Sequence, residues 1–180
     1  CIYAYKKIEQ NKMDAQISTE EKVNNDATTE SDAKKDTDIV AETEDNESLP
    51  LEISKVDLDE IKAFGLPFVI DFGSDSCIPC KEMAPVLELL HSEWQGRAIV
   101  HFVDVWKNTT AANDFPVTVI PTQVFYNGDG TPFVPSDALA KEMEFTIYNS
   151  KDTQEHLFTV HQGGVTEEQM RKIFAEMGVK

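Results

Sequence analysis

Apolar positions are sparse over the first 48 residues and then gather into the short runs LPFVIDF, AIVHFVDV, PTQVFYN and EHLFTVH, separated by stretches with helical spacing. Residues 56–63 predict a short helix that stops at Gly65. Over 66–72, Val69, Ile70 and Phe72 are apolar without clean alternation, the mark of a strand covered on both faces, as in the middle of a parallel sheet. A helix is predicted from about Cys77 to Trp94, with Met83, Leu87, Leu90 and Trp94 along one stripe; Pro85 lies inside it, where a kink is expected. A strand follows at 98–105, then a short helical piece near 109–113, then an extended run into VIPTQVFYNGDG, whose Asn127-Gly128 pair is a hairpin signal. The return is delayed, because Ser136 with Leu139 and Met143 predicts a capped helix occupying much of 131–155. The last helix is the clearest: Thr166 and Gln169 form a capping box, and Met170, Ile173, Phe174 and Met177 its buried stripe. The predicted order is strand, kinked helix, strand, short helix, strand, inserted helix, strand, helix, an α/β domain over 49–180.

Composition changes this picture at the N-terminus. Residues 1–48 are rich in Asp, Glu, Lys, Asn, Thr and Ser, with Tyr3 and Tyr5 as their only aromatics, and have too little apolar area to offset the entropy of ordering. They read as a disordered acidic tether. The whole chain of 180 residues carries 16 basic and 33 acidic side chains, a formal charge of -17. Residues 1–50 hold 13 acidic against 6 basic groups and the remainder 20 against 10, so tether and domain are both acidic. Such a surface repels nucleic-acid phosphates and anionic membranes, and no nucleic-acid partner is expected. No run approaches the roughly 18 apolar residues that span a bilayer.

The candidate chemistry lies in GSDSCIPCKEMAP, residues 73–85, where Cys77 and Cys80 stand three apart at the predicted start of a helix. Three readings compete. A zinc site needs about four ligands, and His91, His101, His156 and His161 fall at no ligand spacing, so no metal is expected. A structural disulfide between residues this close closes a small loop that removes little unfolded-state entropy. A redox pair needs fewer assumptions. A cysteine at a helix N-terminus faces unpaired amides and the positive end of the dipole, a setting that suits the attacking thiolate, and one a turn later can close an internal disulfide. Pro79 withholds an amide proton where its loss costs nothing. Lys81 adds positive charge or is an ordinary exposed helix residue.

The residues from about 54 to 177 resemble the thioredoxin family. CIPCKEMAP matches its Cys-x-Pro-Cys motif before a proline-kinked helix, Asp71 stands six residues before the first cysteine, VIPT supplies Ile120 and Pro121, and Gly163 precedes the last helix. The resemblance implies a thioredoxin-like fold: a central mixed sheet flanked by helices, here with a helical insertion (131–155) before the last strand. It implies that Cys77 attacks a client disulfide, that Cys80 resolves the mixed disulfide, and that Asp71 moves the proton of Cys80. A carboxyl under a sheet has the raised pKa that this role needs. It further implies that Pro121 is cis and presents the Ile120 backbone to a client, beside Ile78 and Pro79. Departures are visible too. Ser76 and Gly73 replace tryptophans, predicting a less aromatic surface, and Phe102 replaces a lysine opposite Asp71.

Within such a family, Ile before the cis-proline accompanies reducing members, so a protein thiol-disulfide oxidoreductase acting as a reductant of client proteins, with no cofactor, is expected. A disulfide oxidase or isomerase, or a non-catalytic binding module, would use the same fold. Cys1 followed by the acidic stretch resembles mature bacterial lipoproteins, which implies a lipid attached at Cys1, the extracytoplasmic face of a bacterial membrane, and an integral-membrane thiol carrier as electron donor.

Overall fold

The structure, a computed structural model, describes residues 49–180. The tether over 1–48 and the lipid site at Cys1 lie outside the described residues. Strands β1 (Phe68–Gly73), β2 (Ile99–Asp104), β3 (Thr122–Tyr126), β4 (Thr146–Asn149) and β5 (His156–Gln162) form one sheet, with helices α1 (Leu58–Ala63), α2 (Ile78–Glu93), α3 (Asp137–Glu142) and α4 (Glu167–Glu176) around it. The spatial order is β2-β1-β3-β5-β4, with β1 and β2 parallel and the other pairs antiparallel. This is the mixed sheet the sequence predicts.

Every residue of β1 is buried, as its continuous apolar run requires. Alternation along the strand divides the core in two. Phe68, Ile70 and Phe72 join Ile61 of α1 with Val103, Phe115, Val124 and Tyr126 on one face. Val69 joins Met83, Leu87 and Leu90 of α2 and Met170, Ile173 and Phe174 of α4 on the other. Asp71, two positions after Val69, therefore points to the face that α2 covers. Helix α4 starts with the expected capping box, both reciprocal bonds of Thr166 and Gln169 being made.

Two expectations are corrected. Residues 109–113 form successive tight turns instead of a helix, with Ala111 N–H donating to Asn108 and Asn113 N–H to Thr110. Thr and Asn are weak helix formers, and the turns carry Phe115 into the core. Segment 131–155 holds more than its helix: α3 is six residues long, and β4 follows it as an edge strand on β5. Thr146, Ile147 and Tyr148 favour a strand, but their pairing comes from β5, which no local pattern reveals. The chain does turn at Asn127-Gly128, where Asn127 N–H donates to Thr131, yet only an isolated bridge between Tyr126 and Pro132 follows, since Pro132 cannot donate.

The insertion is part of the core. Leu139 and Met143 are buried in the α2/α4 cluster, and Phe145 meets Phe125 and Phe133 edge to face. Ser136 caps α3, and its own N–H and hydroxyl donate to Glu176 of α4 at 2.9 and 2.5 Å. At the opposite edge, residues 51–53 run along β2: Phe102 N–H donates to Leu51 at 2.7 Å and Ile53 N–H to Phe102 at 2.9 Å.

The end of β2 also holds the loop that precedes α2. The buried carboxylate of Asp104 accepts N–H bonds from Asp75, Trp106 and Lys107 at 2.9–3.0 Å. Burial alone would raise its pKa, but these bonds together hold it below the usual carboxylate range. Lys107 also pairs with Asp75 from the solvent side. Replacing Asp104 with Ala leaves three N–H groups without an acceptor; Asp104→Ala is expected to destabilise the domain by about 2 kcal/mol in urea titration, and an unchanged midpoint would show that the loop is held by other contacts.

Candidate active site: a dithiol over a buried carboxyl

Residues 74–77 carry the chain from β1 to α2. Cys77 is the N-cap of α2 and makes no side-chain capping bond, while Pro79 occupies the first turn. Cys77 N–H donates to the Ser74 carbonyl at 3.1 Å, and Ser76 N–H to the Ser74 hydroxyl at 3.2 Å, which fixes the turn that aims the first thiol. Both cysteines are free thiols: Cys77 is half-buried and Cys80, one helical turn on, is only 5% exposed. One thiol can therefore meet a client while the other waits beneath it.

The Cys77 thiol lies 3.9 Å from the Ile120 carbonyl, so the β3 lead-in forms the opposite wall of the site. The Ile120-Pro121 bond is cis, as expected, with Pro121 buried and Ile120 half-buried. Ile78 is 72% exposed, Pro79 is exposed, and Val119 adds a further apolar side chain next to Ile120. Trp106 is exposed, and its N–H shares the Asp104 carboxylate with that of Asp75 in the active loop.

Asp71, 1% exposed, lies on the face of β1 that α2 covers, between Phe102 of β2 and Gln123 of β3 in the ladder. Gln123 Nε2 donates to Asp71 Oδ1 at 2.7 Å, and Asp71 Oδ2 has no hydrogen-bond partner. Burial pushes the carboxyl from its ordinary 3.8 up to about 7, a rise the Gln123 bond partly offsets. Gly73, two residues along the same face, explains how the groups converge. A Cβ there would sit 2.9 Å from the Phe102 ring and 3.3 Å from both Asp71 Oδ2 and Cys80 Sγ, so a missing side chain is what lets carboxyl, thiol and ring share this space. Burial, and then the neighbouring Cys77 thiol, push Cys80 up to about 12, with the Asp71 charge adding to the rise.

Cys77, Cys80, Asp71, Ile78, Pro79, Ile120 and Pro121, the residues expected from the sequence, lie around the N-terminus of α2 and the strand ends that face it. Gln123 and the steric part of Gly73 escape sequence reading, because only strand register places them beside Asp71. A pocket of about 150 Å³ borders Cys80, with Leu51, Glu52, Lys81, Glu88 and Phe102 in its lining.

The raised Asp71 pKa links stability to pH. Folded Asp71 keeps its proton to about pH 7, whereas the unfolded chain releases it near 3.8, so stability from this group is complete below 3.8 and lost as pH rises to 7. The loss is on the order of 4 kcal/mol. In Asp71→Asn no charge is buried, so the variant is expected to gain on wild type in urea titrations between pH 5 and 8. Parallel pH profiles would mean that Asp71 is already ionised at pH 5 in the folded chain, so that its pKa is not raised.

Residues 57–146 match the family model described as Thioredoxin. Thioredoxin of Staphylococcus saprophyticus is 38% identical over 82 residues, 42% of this chain and 78% of the relative. Thioredoxin of Staphylococcus aureus is 33% identical over 100 residues, 52% of this chain and 94% of the relative. A solved structure of chloroplastic thioredoxin z overlaps 72% of this chain and 97% of its own at 21% identity and a TM-score of 0.46. With half of its residues matched by the family model, two curated relatives above 30% identity, and the Cys77/Cys80 pair of a thiol-disulfide oxidoreductase, the chain belongs to the thioredoxin family.

Proposed function

We propose that this chain is a reductant of disulfides in client proteins. The observation that carries the reading is the stacking of one accessible thiol at a helix N-terminus over one buried thiol beside a buried carboxyl. Cys77, as thiolate, attacks one sulfur of the client disulfide; that S–S bond breaks, a Cys77–client disulfide forms, and a client thiolate leaves. Cys80 then gives its proton to Asp71 and attacks the Cys77 sulfur, which releases the second client thiolate. The client gains two electrons and protons in the process, and the chain is left with a Cys77–Cys80 disulfide.

Ile78, Pro79 and Ile120 are the contact surface for the client. Its extended backbone would pair with residue 120, opposite the Cys77 sulfur. Electrons return through a thiol carrier, proposed here to be an integral-membrane protein, with clients on the extracytoplasmic side. Support for that placement comes from the sequence of the Cys1 segment and its likeness to lipoproteins. Incorporation of a clickable fatty acid that disappears in Cys1→Ser would support the anchor, and incorporation unaffected by that change would refute it.

Direction is tested by the reduction potential of the pair, measured in dithiothreitol or glutathione buffers with mass-tagging of free thiols. A value close to that of thioredoxin, about -270 mV, is the expected outcome. A value near that of the periplasmic oxidant DsbA, about -120 mV, would assign the chain to disulfide formation instead.

A further inference from the structure

Asp71 meets very different neighbours on its two sides. Across the β1/β2 ladder stands Phe102, a ring that neither donates nor carries charge. Across β1/β3 stands Gln123, fully buried, whose Nε2 donates to Asp71 Oδ1 at 2.7 Å and also reaches Met83 Sδ at 3.6 Å. Among the described residues, the buried side-chain nitrogen and oxygen atoms without a partner are Asp71 Oδ2 and Gln123 Oε1, one on each member of this pair. Asp71 Oδ2 is the oxygen that shares the space above Gly73 with Cys80 Sγ.

We propose that Gln123 is a positioning residue for the resolving step: its amide occupies Asp71 Oδ1 with a donor, and so reserves Oδ2, the oxygen beside Cys80, as the one that takes the proton. The inference rests on the proposed role of Asp71 as acceptor of the Cys80 proton.

The chemistry follows from donor and acceptor types. Oδ1 can accept the Gln123 N–H whether Asp71 is a carboxylate or an acid protonated on Oδ2, but a proton on Oδ1 would confront that N–H with a second donor. As Cys80 attacks, its S–H bond breaks, an O–H bond forms at Oδ2, the sulfur electron pair forms a bond to the Cys77 sulfur, and the mixed S–S bond breaks with its electron pair leaving on the departing thiolate. The amide bond persists throughout. Of ionisable groups, Cys80 on α2 faces Asp71, with Cys77 beyond it; β2 and β3 face it with Phe102 and Gln123, neither of which titrates, and Glu52, Asp75, Lys81 and Glu88 stand around the pocket that borders Cys80. Removing a donor that favours the carboxylate should raise the pH at which Asp71 becomes a base.

The experiment uses the full chain with Cys1→Ser, so that two thiols remain, mixed with 5,5′-dithiobis(2-nitrobenzoate) by stopped flow from pH 5.5 to 9. The first thionitrobenzoate released reports attack by Cys77, the second its displacement by Cys80. Gln123→Met keeps the side-chain volume and has no donor; Gln123→Leu serves if the Met variant does not fold, as judged by thermal unfolding. The expected result is an unchanged first release, a second release about fivefold slower at pH 7, and its pH midpoint raised by about one unit. A second release that matches wild type in rate and midpoint, while Asp71→Asn slows it, would overturn the role of Gln123 and leave Asp71 as the acceptor. Slowing without movement of the midpoint would also overturn it, as a packing effect. If Asp71→Asn itself leaves the second release unchanged, the acceptor reading fails and Gln123 has nothing to position.

Discussion

Keeping the carboxyl of Asp71 out of water is the constraint around which the centre of this domain is arranged. A strand paired on both sides and roofed by a helix offers no solvent, so the group is neutral over much of the pH range and depends on what the neighbouring strands bring. One of them brings a ring and the other an amide. The ring closes the space towards β2, the amide holds one oxygen, and the absent side chain of Gly73 leaves the other oxygen next to a sulfur. Polar chemistry is thereby confined to a small patch inside an otherwise apolar face, where neither bulk water nor a counter-ion shares in it.

The two thiols inherit different environments from a difference of three residues. Cys77 belongs to the loop, lies at the surface and faces a backbone carbonyl across the gap; Cys80 belongs to the first turn of α2 and faces inwards. Nothing about their chemistry as amino acids separates them. Their roles come from the turn set by Ser74, the stop that Pro79 tolerates, and the anchoring of the loop to Asp104, which together decide which sulfur reaches the solvent.

What was legible in the sequence was what is local or what recurs at family spacings. The capping box of α4, the strand before the cysteines and the helix after them depend on residues within a turn or two of each other, and periodicity finds them. Asp71, Pro121 and the substitution of Phe102 were visible through resemblance. Gln123 was not: in TQVFY it looks like one polar residue in a short strand, and its meaning depends on a register with β1 over 50 residues away in the chain. The same non-local pairing hid β4, and over 109–113 a weak helical pattern gave way to successive backbone turns that bring Phe115 into the core.

The two margins of the sheet end in different ways. On the β2 side, residues 51–53 lie along the strand and use part of its backbone. On the other side β4 is only four residues long, and its pairing with β5 slips at Tyr148/Asn149. A free edge invites strands from other chains to add on, a route to runaway self-association that natural sheets suppress by shortening and kinking their outermost strands. The elaboration between β3 and β5 therefore supplies a blunt hem where β5 would otherwise offer a seven-residue rail to neighbouring chains.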